Sequence, residues 1–458
     1  MEIIIQEIFN SYQQKFAKWL NSLEQLNVSI LETEGLPILK AMLLDLTGEY
    51  INTASDYLRG DKPGRRKAGL VLIRIGDERR ILTKLGEFVY KRDYYFDKKA
   101  SRCRYPVDEA LGVERWQKAS DNVGLSLAAT AAEMSYAKSS RYVAEGELSR
   151  QTVMLKIRSS RPKPDIPGEK RRIRALHVDA DEDHVTLIGG NKSIVPLVSV
   201  YEGIGQNSKR RYCDKVFHIS EYGMGADELW EKVISEIDNR YELEDTIIYL
   251  HGDGASWIKT GMEWLPNCRF VLDKYHRNRA IKSMCAGIGD QSLRGKAENG
   301  IRDSLLRNDD MLWSSIIESL VFDAPERKND ILASARFLWG HRAAISICET
   351  DPEANNGGCS EPHVSHVLSS RLSDRPRTWS KTTLTSIAPM LAKRGELEVK
   401  NRTVKPSEPL ITKAIVKTRR VFNSKRIQTP RTPCINGSLV PIAIGKINQT
   451  FIALRSYN

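Results

Sequence analysis

Three groups of acidic residues in this chain have the type and spacing of metal ligands. The run His177-Val178-Asp179-Ala180-Asp181-Glu182-Asp183 lies in a β-branched context. Strand side chains alternate, so Asp179, Asp181 and Asp183 share one face. Carboxylates crowded on one face repel unless something cationic sits between them. Further along, Leu250-His251-Gly252-Asp253-Gly254-Ala255 lets an aspartate leave a buried apolar run between two glycines, where backbone or ligand can approach closely. The third acid, Glu361, opens a helix running to Leu372. At about 100° per residue it shares a stripe with Val364, Leu368, Arg371 and Leu372 and faces inward, while His363 and His366 point away. Three such acids suit two Mg²⁺ ions about 3.5–4 Å apart, with Mn²⁺ able to substitute. One ion would activate a water or a 3′-hydroxyl, and the other would stabilise the leaving oxygen of a phosphodiester. Singly, each acid has an ordinary explanation as a turn, cap or first-turn residue. Their placement on an early strand, a later strand and a late helix is what makes the set informative.

The elements that must position these acids follow from periodicity. Strands are expected over Ala175–Ile188, Ser193–Tyr201 and Arg211–Ile219, then a helix over Ala226–Arg240. A strand Thr246–Leu250, a helix from Ser256, a strand Arg269–Leu272 and a helix from about Tyr275 complete the series. Three meandering strands followed by alternating helix and strand is the order of a ribonuclease-H-like mixed sheet with helices on both faces. The fold class is thus α/β, with a catalytic domain at 174–380 and a helical insertion at about 288–350 before the last acid. Trp313 and Trp339 in that insertion read as core.

Ahead of the sheet, residues 1–80 read as a helical region whose apolar period includes Tyr12, Phe16 and Trp19. Residues 81–158 combine a β-hairpin, within Ile81–Tyr105, with a helix-turn-helix. Trp116–Ala144 is helical, Glu145-Gly146 is the break, and Ser149 caps a second helix whose Arg150, Gln151 and Thr152 fall where base edges would be read. A basic linker, 159–173, follows and includes Arg171 and Arg172. The segment Ser373–Trp379 combines Arg375, Arg377 and Trp379, a mixture suited to phosphate contact and base stacking, as is the nearby Arg371.

Charge distribution points the same way. The chain has 458 residues and a net charge of +12, yet from Lys381 to Asn458 there are 15 basic and 3 acidic residues, so the excess sits in a basic C-terminal tail, 381–458. Dedicated basic segments beside a neutral body fit phosphate neutralisation. Hydrophobic residues at 41% exclude disorder throughout, and no apolar run approaches the roughly 18–20 residues of a membrane span. The seven cysteines are odd in number and contain no CxxC pair, so neither a disulfide framework nor a cysteine zinc site is indicated, and a reducing cytoplasm fits.

The strings HVDADEDHV, YLHGDGASWI, FVLDKYHRNRAIK and GGCSEPHVSHVLSSRLSDRP resemble blocks of the bacterial insertion-sequence transposases of the ISLre type, over about Glu87 to Ser380. Such transposases resemble the ribonuclease-H-fold DDE recombinases. The resemblance implies a metal-dependent enzyme that cuts and joins DNA at the ends of its own element. It carries the second acid to Asp253 and the third to Glu361. The first falls on Asp181, from an Ala-Asp pair followed by a valine four residues on, with Asp179 as the alternative. It also makes Asp273–His276 similar to a DxxH motif whose histidine, here His276, lies near the active site and steers DNA or the metal shell. The implied partners are double-stranded DNA, as terminal inverted repeats and target, and at least a second copy of the chain. The implied location is the bacterial cytoplasm, at the nucleoid when bound to DNA. Two other readings stay open: a catalytically inactive DNA-binding derivative, and a metal-dependent nuclease that cuts without joining.

Overall fold

The computed structural model describes residues 2–23, 27–166, 168–207, 211–354, 358–375, 377–400, 414 and 416. Most of the basic segment expected from 381 onward therefore lies outside the described residues. Its first part does not: Lys381–Ala392 is a helix that buries Leu384, Ile387, Ala388 and Leu391, and Leu397–Val399 pairs as a strand with Ser160–Pro162. The 3.6-residue apolar period there outweighs the basic composition.

The chain divides into two compact units, one formed by 1–79, 89–112 and 406–458 and the other by 80–88 and 113–405. In the first, helices Glu2–Asn21 and Leu36–Gly60 carry a Tyr12–Asp45 hydrogen bond of 2.6 Å, and Leu58, Leu70 and Tyr95 form a small core. Helix gives way to strand sooner than the sequence predicts. Gly69 in the left-handed conformation stops the helix Lys62–Ala68, and a strand runs from Leu70 to Thr83. Its charged Arg74–Arg80 stretch is an exposed strand, which apolar runs alone do not reveal.

In the second unit the main sheet has strands β1 (Ala175–Thr186), β2 (Lys192–Tyr201), β3 (Phe217–Ile219), β4 (Ile247–Gly252) and β5 (Cys268–Leu272), ordered β3-β2-β1-β4-β5. The first three strands are antiparallel, while β4 runs parallel to both β1 and β5. Between β4 and the last acid come α2 (Ser256–Trp264), after α1 (Ala226–Asp238), then α3 (Lys274–Cys285) and the insertion helices α4 (Gln291–Arg307), α5 (Asp310–Asp323), α6 (Lys328–Gly340) and α7 (Arg342–Thr350). Trp313 is buried and stacks on Trp339 at 5.2 Å, a core pair as expected.

The expected third strand is interrupted. Lys215 adopts a positive φ of 52°, so Arg211–Asp214 pairs instead with Gly203–Gln206 and only Phe217–Ile219 joins the sheet. Likewise the helix expected over 116–144 breaks at Ser135, whose hydroxyl caps Tyr136–Ala144. Arg150–Arg158 follows a turn with left-handed Glu145 and Gly146, completing two helices across a tight turn. These helices share a core with the far ends of β1 and β2: Leu127, Val153 and Ile157 pack with Val185, Leu197, Leu368 and Ile387. Residues 113–174 accordingly belong to the same compact unit as the main sheet.

The sheet has two unlike faces. Leu176, Val178 and Ala180 of β1, with Val198, Val200, Ile248, Leu250 and Leu272, point into one apolar core capped by Trp230, Val233 and Ile258. Gly261 lets the Trp230 ring in, since a Cβ there would stand 2.6 Å from it. The opposite face is polar: backbone pairing aligns His218, Ser199, Asp179 and His251 in one row across four strands. Truncating the apolar face should therefore be costly. Leu250 has no solvent exposure, and Leu250→Ala is expected to destabilise the unit by about 2–5 kcal/mol, read as a lowered thermal midpoint.

Candidate active site

Of the three aspartates on the polar face of β1, two are committed. Asp179, 1% exposed, accepts the Tyr201 hydroxyl at 3.0 Å and the Cys359 N–H at 2.7 Å. Its burial pushes the carboxyl up to about 8 against those hydrogen bonds. Asp183 accepts the hydroxyls of Ser369 at 3.0 Å and Ser373 at 2.7 Å. Asp181 between them takes only the adjacent Glu182 N–H, at 2.8 Å, among the described residues.

Asp181 is also where the other candidates meet electrostatically. Its carboxyl is pushed up to about 6, first by burial, then by the like charges of Glu361 and Asp253, with His276 opposing. Three side chains singled out in the sequence thus act on Asp181, although 180 positions separate it from Glu361. Asp253 leaves the carboxyl end of β4 and closes a turn by accepting the Ala255 N–H at 2.8 Å. His276 sits in the first turn of α3, which Asp273 caps by accepting the Tyr275 N–H at 2.6 Å. Its Nδ1 stands 3.9 Å from Asp273 Oδ1.

Glu361 lies in the first turn of α8 (Ser360–Val364), and it is exposed, not turned inward. The buried stripe keeps the other four residues expected on it, Val364, Leu368, Arg371 and Leu372, and adds Ser360 and Val367. A π-helical turn over Ser365–Ser369 follows directly. The two histidines part company: His366 is exposed, whereas His363 is mostly covered and reaches Cys213.

One further residue faces the Asp253 turn and has no sequence signal. His341, at the junction of α6 and α7, directs Nδ1 to the Phe337 carbonyl at 2.8 Å and aims Nε2 at Gly254, where any Cβ would collide with it. That Nε2 is buried with no hydrogen-bond partner among the described residues. Gly254 meets the demand with a φ of 88°.

The donor set suits a hard divalent cation in type and charge: carboxylate oxygens, mutually repelling, beside imidazoles. Among the described residues, no three His, Cys, Asp or Glu side chains form a ready ligand set, so ligation requires the carboxylates to close inward.

The expected DNA contacts divide by exposure. Arg150, Gln151 and Arg375 are exposed, while Thr152 is partly covered and bonded to the capping Ser149. Arg171 is paired with Glu202 and Tyr241, and Arg172 with Asp245 at 2.6 Å, so these two are anchored along a short strand and not held in an open linker. Arg371 is 5% exposed, donates twice to the Ala131 carbonyl and lies over Trp379; Arg377 donates to the Arg371 carbonyl. This placement makes Arg371 a packing residue, because its stem and planar head fill an apolar site whose one free carbonyl it satisfies.

Residues 45–405 match the family described as Uncharacterised protein family (UPF0236). The chain belongs to the UPF0236 family. A UPF0236 protein of Caldanaerobacter subterraneus subsp. tengcongensis is 31% identical over 444 residues, 94% of either chain. Another from that bacterium, which carries eleven locus names, is 31% identical over 86% of this chain and 84% of its own. A UPF0236 protein in the vanSb 3′ region of Streptococcus gallolyticus is 24% identical over 86% and 87%. In this UPF0236 chain no helix among the described residues is long and apolar enough to cross a membrane.

Folding raises the Asp181 carboxyl, so the folded chain keeps that proton to higher pH than the unfolded chain, and ionisation costs stability from about pH 4 upward. Asp181→Asn is expected to raise the thermal midpoint by about 2–4 °C at neutral pH without divalent ions, and to give no gain below about pH 4. An equal gain at both pH values would show that repulsion within the acid cluster is not the cause.

Proposed function

We propose that the chain is a transposase that binds the terminal repeats of its own element and carries out metal-dependent cleavage and joining of DNA. The observation that carries the reading is a sheet ordered 3-2-1-4-5 whose central strand holds Asp181, a carboxyl raised first by burial and further by the charges of Glu361 and Asp253. That order, antiparallel across its first three strands and parallel to the last two, is the order of a ribonuclease-H-like sheet, and it supports that assignment. The relatives add independent support. One UPF0236 protein carrying eleven locus names, and another carrying four, within a single bacterium is the distribution of a sequence that copies itself.

Asp181, Asp253 and Glu361 would hold Mg²⁺ or Mn²⁺, which supplies charge neutralisation and activation of the attacking oxygen when bound. The chain's own contribution is to fix these acids on rigid elements. Asp181 is held on the central strand, Asp253 by its turn, and Glu361 by a helix whose first residues are bonded to Asp179 and Asp273. His276 opposes the rise of the Asp181 carboxyl. Exposed Arg150 and Gln151 at a helix start are suited to base edges and phosphates, and Arg375 to the phosphate backbone. Between the Ser160–Pro162 strand and the Lys381–Ala392 helix opens a groove of about 1170 Å³ that reaches His363 and His366. Much of its basic lining is already paired, as in Arg161–Glu398 and Lys163–Glu396, so the groove is not by itself a phosphate track.

The test is incubation of the full chain with a labelled duplex of the DNA flanking its coding region and a plasmid target, in Mg²⁺ or Mn²⁺. Joined products support transposition, cuts without joining make it a nuclease, and a shifted but uncut duplex makes it a binder. Asp253→Asn and Glu361→Gln are each expected to lower joining by on the order of 10²–10⁴-fold while leaving the gel shift intact. Arg150→Ala is expected to do the reverse, weakening the shift and reducing its salt slope by about 1.

A further inference from the structure

Cys213, His218, Cys359 and His363 converge on the polar side of the sheet from two separate stretches of chain, Cys-x4-His and Cys-x3-His. Cys213 is on the hairpin strand Arg211–Asp214, and His218 is on the edge strand β3 just past the Lys215 bend. Cys359 is the N-cap of α8 and His363 lies four residues on, so helical spacing puts both on one side. We propose that these four residues form a tetrahedral zinc site that ties the sheet edge to the helix bearing Glu361.

The distances agree with that geometry. His363 Nε2 lies 3.6 Å from Cys213 Sγ. With Zn–S near 2.3 Å and Zn–N near 2.0–2.1 Å, the edge joining a sulfur and a nitrogen ligand of one tetrahedron is about 3.6 Å. The rings of His218 and His363 stand 5.1 Å apart, centroid to centroid, at 70°. Two imidazoles bound through Nε2 to a common tetrahedral ion have centroids about 5.2 Å apart. Neither Cys213 nor Cys359 is in a disulfide.

The surroundings fix each imidazole for ligation through Nε2. His218 Nδ1 bonds Ser199 Oγ at 2.8 Å. His363 Nδ1 faces Asp179 Oδ2 at 3.7 Å and has no hydrogen-bond partner among the described residues, although it is buried. A carboxylate behind a ligating histidine is the arrangement that orients the ring and raises its basicity. No three of these donors yet form a ready ligand set. Binding Zn²⁺ would displace the two thiol protons to solvent and contract the cluster about the ion.

The probe is the full chain with Zn²⁺ or Co²⁺. Chains purified from zinc-supplemented cells are expected to carry one zinc by mass spectrometry of metal content, and Co²⁺ loading is expected to give intense tetrahedral ligand-field absorption with a thiolate charge-transfer band. The double variant Cys213→Ser/Cys359→Ser should lose at least nine-tenths of the zinc, whereas Cys103→Ser, on the other unit, should keep it. Ser199→Ala should weaken zinc affinity by about 10–100-fold. Should the double variant fail to fold, the cobalt spectrum of the unaltered chain decides. Absence of zinc, a weak octahedral cobalt spectrum without a thiolate band, or a Cys213–Cys359 disulfide in freshly purified chain would overturn the proposal. DNA joining plays no part in these readouts, so the zinc site and the transposase reading stand or fall separately.

Discussion

Three buried carboxylates hold the segment 359–373 against the sheet. Asp179 takes the Cys359 N–H, Asp273 takes the Ser360 hydroxyl, and Asp183 takes the hydroxyls of Ser369 and Ser373. Each would be costly to bury unpaired, so each bond holds a particular residue of the segment to a particular strand or cap. Everything attributed to Glu361 depends on this attachment, because an exposed first-turn glutamate has no packing of its own to fix it. Asp181, placed between Asp179 and Asp183 on the same strand, takes no part in that attachment, and its carboxyl is raised by burial and by the charges of Glu361 and Asp253.

The unlike faces of the sheet make such a concentration of polar groups tolerable. One face of β1 contributes Leu176, Val178 and Ala180 to the large core, whereas on the other face the polar row gives way to Val185, which packs with Leu197 in the second core. Within the polar row, neighbouring polar groups are bonded to one another in chains: His177 to His251 at 3.2 Å, Tyr201 to Asp179, and Ser199 to His218. Low local dielectric strengthens such bonds and penalises any member left out, which gives the row a single arrangement.

Much of this was legible from periodicity. Four of the five strands fall within a few residues of where alternation and apolar spacing put them, and the insertion is helical as expected, because each buries a face and so carries a pattern. What escaped had no such pattern. The bend at Lys215 is a backbone conformation without a residue signature, and it moved Cys213 off the sheet and onto a hairpin. Arg371 reads as a surface cation, yet its head satisfies a single carbonyl inside an apolar cluster. His341 comes from the insertion and meets Gly254 only in three dimensions.

The π-helical turn at Ser365–Ser369 separates two duties along one helix. Upstream, Cys359 to His363 faces the acids and the sheet edge; downstream, Ser369 to Leu372 faces Asp183 and the second core. Removing one residue within the turn would restore ordinary helix and rotate the upstream part by about 100° relative to the downstream part. Glu361 would then leave its present direction even though no side chain on either side had changed. The number of residues in this stretch, more than their identity, therefore sets the direction of Glu361.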